Sequence, residues 1–107
     1  MFYTSTRDNS IKLTASQAIL KGLSDDGGLF VPSEFPKLSK SLKEISELDY
    51  KETAYIVMKD FLNDFTEDEL KSCIEKAYDS KFDTEEIAPL TEAEGVYYLE
   101  LFHGKTI

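Results

Sequence analysis

The chain has 107 residues, 41% hydrophobic and 12% aromatic, which suits one small domain with a modest core and excludes a disordered chain. Its 12 basic and 21 acidic residues leave a net charge of −9, which argues against nucleic acid or an anionic membrane as partner and fits a solvated acidic surface. One cysteine excludes an internal disulfide, no apolar run approaches the ~18 residues of a membrane span and no signal peptide is visible, so a cytoplasmic location is expected.

Phe2-Tyr3-Thr4-Ser5-Thr6 is β-prone, Arg7 to Ser10 is turn chemistry, and Ile11-Lys12-Leu13 alternates. An opening hairpin or a pair of short strands is expected, with Arg7 solvated in the polar turn. Thr14-Ala15-Ser16-Gln17 has the form of a capping box, and the helix it starts should end at Gly22. Asp25-Asp26-Gly27-Gly28 permits a tight turn with positive φ, feeding a short buried strand, Leu29 to Val31, that Pro32 ends. A calcium loop would need further acidic ligands after Asp25, and they are missing.

Ser41-Leu42-Lys43-Glu44 and Asp49-Tyr50-Lys51-Glu52 are two more capping boxes. The second opens a long helix whose apolar stripe runs through Ala54, Val57, Met58, Phe61, Leu62 and Phe65. Thr66-Glu67-Asp68-Glu69 starts another helix, with acids where the helix dipole favours them and a stripe of Leu70, Cys73, Ile74, Ala77 and Tyr78. Joined by a few residues, these two helices should form an antiparallel pair over the strands.

The composition shifts near Ser80, where a domain boundary is expected. The fold class is therefore α+β over residues 1–80, followed over residues 81–107 by the first strands of a larger α/β domain. There Ile87 to Leu90 reads as a short extended piece, Thr91 to Gly95 as a polar loop, and Val96 to Phe102 as a largely buried strand. The strand delivers His103-Gly104, a polar glycine loop of the kind at which α/β proteins place ligands.

Gly104-Lys105-Thr106 has the last three letters of a phosphate-binding P-loop, but Leu99 stands where the first glycine is needed, so a nucleotide hydrolase is set aside. His103 is the only histidine and Cys73 the only cysteine, so no metal site is expected. Cys73 lies on an apolar helical stripe and reads as a buried structural thiol rather than a nucleophile paired with His103. His103 itself stays open between lining a site and a structural hydrogen-bonding role. Ser5, Thr6 and Arg7 could bind phosphate from a strand end.

Leu99-Glu100-Leu101-Phe102-His103-Gly104-Lys105-Thr106 resembles the segment of threonine synthases that leads into their pyridoxal-phosphate lysine. Asp26-Gly27-Gly28-Leu29-Phe30-Val31-Pro32 resembles the Asp-Gly-Gly-Leu-Phe-x-Pro of the same family. Ser5-Thr6-Arg7, Lys21-Gly22-Leu23, Tyr50 and Ala77-Tyr78 match it too, so the likeness covers essentially the whole chain. It implies a tryptophan synthase β-like fold with an additional N-terminal domain. It also implies a lysine Schiff base with pyridoxal phosphate, whose ring is an electron sink. The implied reaction is a carbon–oxygen lyase reaction: O-phosphohomoserine loses its phosphate by elimination, and water adds to give threonine.

On this resemblance His103, Gly104 and Thr106 line the substrate or cofactor pocket, with Ser5 and Thr6 as further candidates. The family's Ala-Phe-Lys-Asp would come next, so no catalytic residue is expected within the chain. The expectation is a truncated N-terminal fragment, inactive alone and holding no cofactor, that self-associates through its exposed terminal strand. Lys105 stands where the family commonly has proline, which leaves room for a paralogue that performs only the elimination. A stand-alone acidic α+β interaction module is the remaining alternative.

Overall fold

Four places where a hydroxyl or carboxylate precedes a Glu or Gln by three residues begin helices. The computed structural model describes residues 1–104, and within them lie α1 (Ala15–Lys21), α2 (Leu42–Ile45), α3 (Tyr50–Phe61) and α4 (Glu67–Ala77). At each start the cap side chain accepts the third residue's N–H while that residue's side chain accepts the cap's N–H. The three capping boxes read from sequence form, as does a fourth at Thr66, and each satisfies backbone donors that a helix cannot pair internally. Gly22 ends α1 at φ 77°, donating its N–H to the Ala18 carbonyl.

The α3–α4 pair is antiparallel, as expected. Lys51 at the start of α3 pairs with Glu75 near the end of α4 at 2.8 Å. Beside them the Tyr50 and Tyr78 rings meet edge-on, 5.0 Å between centroids, while Lys71 lies 4.8 Å over the Tyr55 ring farther along. Among the described residues the buried apolar side chains are Ala15 and Ala18 of α1, Ile56 of α3, and Leu70 and Ile74 of α4. Ile56 falls outside the stripe read for α3, whose members are half-buried.

Cys73 is exposed rather than buried, and so is Ala77. The reason is the polarity of α4: it turns only the narrow line of Leu70 and Ile74, four residues apart, into the core.

β1 (Tyr3–Ser5) takes as its partner not the 11–13 segment but β2 (Phe30–Pro32), antiparallel with Tyr3 opposite Pro32 and Ser5 opposite Phe30. Leu13 makes only a bridge to Tyr3, with reciprocal bonds of 2.8 and 3.0 Å. The Tyr3 hydroxyl donates to the Phe61 carbonyl at 2.8 Å and ties this ribbon to the end of α3. The short strand expected to be buried is half in solvent: Leu29 and Val31 are exposed while Phe30 turns inward, the alternation of a one-sided strand.

The C-terminal part departs most from expectation. Thr91 to Gly95 is not a loop; β3 (Leu90–Ala93) and β4 (Val96–Leu99) form an antiparallel hairpin. The turn residues Glu94 and Gly95 both have positive φ, 53° and 76°, the signature of a tight primed turn whose twist matches its strands. Nor is the terminal strand buried or as long as Phe102. Every β4 residue is exposed, Tyr97 at 65%, because β3 and β4 pair only with each other among the described residues. The radius of gyration, 16.3 Å, exceeds the about 13 Å of a compact chain of this length.

Candidate functional site

Two sequence stretches separated by some twenty residues fold into one clasp. The Ser5 hydroxyl is buried and reaches both carboxylate oxygens of Asp26, at 2.8 and 2.9 Å. Asp26 also accepts the Gly28 N–H at 2.8 Å, closing the turn through Gly27, whose φ is 80°. Thr6 grips the next residue twice: its N–H donates to the Leu29 carbonyl and its hydroxyl accepts the Leu29 N–H at 3.0 Å. Arg7, expected to be solvated, is exposed but donates to the Asp26 carbonyl at 2.9 Å. The Gly28 and Ser5 hydrogen bonds hold the Asp26 carboxyl below its ordinary pKa, assisted by the Arg7 charge.

A second cluster surrounds the end of the hairpin. His103 places Nδ1 2.5 Å from Asp83 and Nε2 3.3 Å from Glu100, and its side chain is 11% exposed. Asp83 donates its N–H to the His103 carbonyl at 3.1 Å, and the Thr91 hydroxyl donates to Glu100 at 2.5 Å. Burial opposes a charged ring, but the two carboxylates outweigh it and raise the imidazole pKa above its ordinary value. The Glu100 carboxyl moves the other way, lowered first by the Thr91 hydroxyl and then by His103.

Beside this cluster lies an open hollow of about 480 Å³, lined by Tyr50, Tyr78, Phe82, Ile87, Ala88, Leu101, Phe102 and Gly104. Its wall is aromatic because the Tyr50–Tyr78 contact continues to Phe82, 6.1 Å from Tyr78 between ring centroids. A Cβ on Gly104 would sit 3.1 Å from the Phe82 ring, so the loop backbone runs close against it.

The five candidate residues thus divide. Ser5 and Thr6 meet in the clasp, and His103 and Gly104 meet at the hairpin end. No hydrogen bond joins the two groups among the described residues. Thr106 and Lys105 lie outside the described residues. Asp83 and Glu100, the partners of His103, were not singled out from sequence. Asp83 sits in a stretch without periodicity, whereas Glu100, the single charge in an apolar run, carried a usable signal. Among the described residues no cluster could hold a metal ion, and no helix is long and apolar enough to cross a membrane.

Residues 2–78 match the family model described as threonine synthase N terminus. A threonine synthase of Schizosaccharomyces pombe is 40% identical over 97% of this chain and 21% of its own length. One from Pseudomonas aeruginosa is 37% identical over the full chain and 23% of its own, and human threonine synthase-like 1 is 42% identical over 85% of the chain. The crystal structure of pyridoxal-phosphate-bound threonine synthase from Brucella melitensis superposes with a TM-score of 0.80 at 32% identity, covering 98% of this chain and 23% of that one. Threonine synthase from Escherichia coli gives 0.75 at 29% identity. The chain spans about a quarter or less of the length of these relatives. The chain belongs to the threonine synthase N-terminus family.

Proposed function

We propose that this chain is the N-terminal part of a threonine synthase, an enzyme that converts O-phosphohomoserine and water to threonine and phosphate. The observation that carries the reading is the match of nearly the whole chain, clasp motif and His103-Gly104 loop included, to relatives of that name. Within this proposal the boundary falls near Ser80. Support comes from the backbone, since α4 ends at Ala77 and the next regular element starts only at Leu90. A cytoplasmic location also belongs to the proposal.

The described residues fit an outer wall of the pocket. Gly104 runs close enough to Phe82 that a side chain there would crowd the ring, and the bare backbone can offer its peptide group to a ligand. Pyridoxal phosphate, when bound, supplies the electron sink for the substrate's carbanion. His103, Gly104 and Thr106 line the pocket; Ser5 and Thr6 contribute by fastening the Asp-Gly-Gly loop. The exposed hairpin is covered in the intact protein and is the self-association edge when it is not.

A second reading is a threonine-synthase-like paralogue, to which the 42% identity to human threonine synthase-like 1 points, and Lys105 in place of the family's proline leaves room for one that performs only the elimination. One assay separates the two. The full-length protein is incubated with O-phosphohomoserine, and phosphate and threonine are both quantified. Equal amounts are expected for the synthase. Phosphate with a 2-oxo acid and ammonia in place of threonine would establish the paralogue, and no phosphate from folded, cofactor-loaded protein would overturn both.

A further inference from the structure

We propose that Asp83 and Glu100 are positioning residues that pin His103 between them, so that the ring anchors the Gly104 loop instead of moving a proton in the reaction. The inference rests on the pocket-lining reading of that loop. Both ring nitrogens face carboxylate oxygens, Nδ1 at 2.5 Å and Nε2 at 3.3 Å. A carboxylate only accepts, and a neutral imidazole carries one N–H, so only the imidazolium satisfies both partners. A general base needs a free lone pair, and this ring has none to offer while it is clamped.

The partners are themselves held. Glu100 accepts the Thr91 hydroxyl, and its N–H donates to the Pro89 carbonyl at 2.9 Å. Asp83 takes the ring with its side chain and the His103 carbonyl with its N–H. Phe102 lies against the ring, 4.6 Å between centroids. Among the described residues, Asp83 and Glu100 are the charged groups facing the imidazole, from the 79–88 segment and from the end of the hairpin. With two negative charges around one positive, the cluster is unsuited to receive a phosphate. That leaves the Gly104 peptide group to face the ligand, and His103 to hold it in place.

The clamp has a direction in pH. Its contribution to stability is fully present below about 6.5, the ordinary value of histidine, and is lost as pH rises through the raised folded value.

Because His103 is the chain's only histidine, its ring signals in proton–nitrogen NMR spectra need no assignment. A titration midpoint above 6.5 is expected, with protons on both ring nitrogens at pH values below that midpoint. Asp83→Asn and Glu100→Gln should each lower that midpoint by about one pH unit. A midpoint at or below 6.5 in the unsubstituted chain overturns the proposal, even if both variants unfold. So does a midpoint that neither substitution moves while circular dichroism shows the fold intact.

In the full-length protein, Asp83→Asn should move the alkaline limb of kcat/KM to lower pH, which a loss of folded protein alone would not do; an unmoved limb counts against the clamp. A full-length protein inert toward O-phosphohomoserine refutes the functional reading and leaves the NMR result to judge the clamp by itself.

Discussion

Replacing Leu70 by alanine is expected to remove more than half of this chain's folding stability. Leu70 is 3% exposed and, among the described residues, is one of five buried apolar residues, two of which are alanines. Truncating a buried leucine costs about 3 kcal/mol, because the cavity adds to the lost transfer energy. A domain of this size has on the order of 5 kcal/mol to lose. Urea unfolding followed by far-ultraviolet circular dichroism should show the midpoint collapse, while Leu20→Ala, at an 88% exposed position, should leave it nearly unchanged. Equal midpoints for the two variants would contradict the core described above.

Gly28→Ala is expected to be almost as damaging, by a different mechanism. A Cβ at Gly28 would overlap the Ser5 hydroxyl and lie 3.0 Å from both Asp26 Oδ1 and Thr6 Oγ1. Ser5 Oγ is fastened to Asp26 Oδ1 and Thr6 Oγ1 to the Leu29 N–H, so they cannot give way without breaking the clasp. The overpacking should cost about 2–3 kcal/mol.

Gly27→Ala is the informative control. Its Cβ would meet only the exposed end of the long Arg7 side chain, 2.7 Å from Nη1, which can swing into solvent at the loss of one exposed hydrogen bond, so its main cost is the positive φ of 80°, about 1 kcal/mol. Thermal midpoints should therefore fall farther for Gly28→Ala than for Gly27→Ala. The reverse order would place the strain in the backbone turn instead of the clasp. The clasp also has an acid limb: the lowered Asp26 pKa adds stability above the ordinary carboxylate range, lost as pH falls through the folded value.

Local signals in this sequence read well, and signals that depend on distant partners did not. Thr14, Ser41, Asp49 and Thr66 announced four helix starts because a capping box is complete within four residues. The antiparallel α3–α4 pair followed from its short connection. The β3–β4 hairpin was missed because Glu94-Gly95 adopts a turn that Asn-Gly or Asp-Gly would have advertised. Burial of β4 was misjudged because apolar composition shows that a strand wants cover and not that the cover lies in the same 107 residues.

Cys73 was misplaced for a related reason, since a five-residue stripe overstates how much of a charged helix can be buried. At the candidate site, His103 and Gly104 were legible from the motif they end, whereas Asp83 was not. Its role exists only once the 79–88 segment folds back to the hairpin end.

On the proposed function, this chain shapes the approach to a pyridoxal-phosphate site whose covalent lysine lies elsewhere in the protein. Borohydride trapping of the cofactor on the full-length protein, followed by peptide mapping, tests it directly. The expected result is a single labelled lysine in sequence following Ile107, with no label on any lysine of residues 1–107. Stoichiometric label on Lys105, or on any other lysine of this chain, would contradict the account.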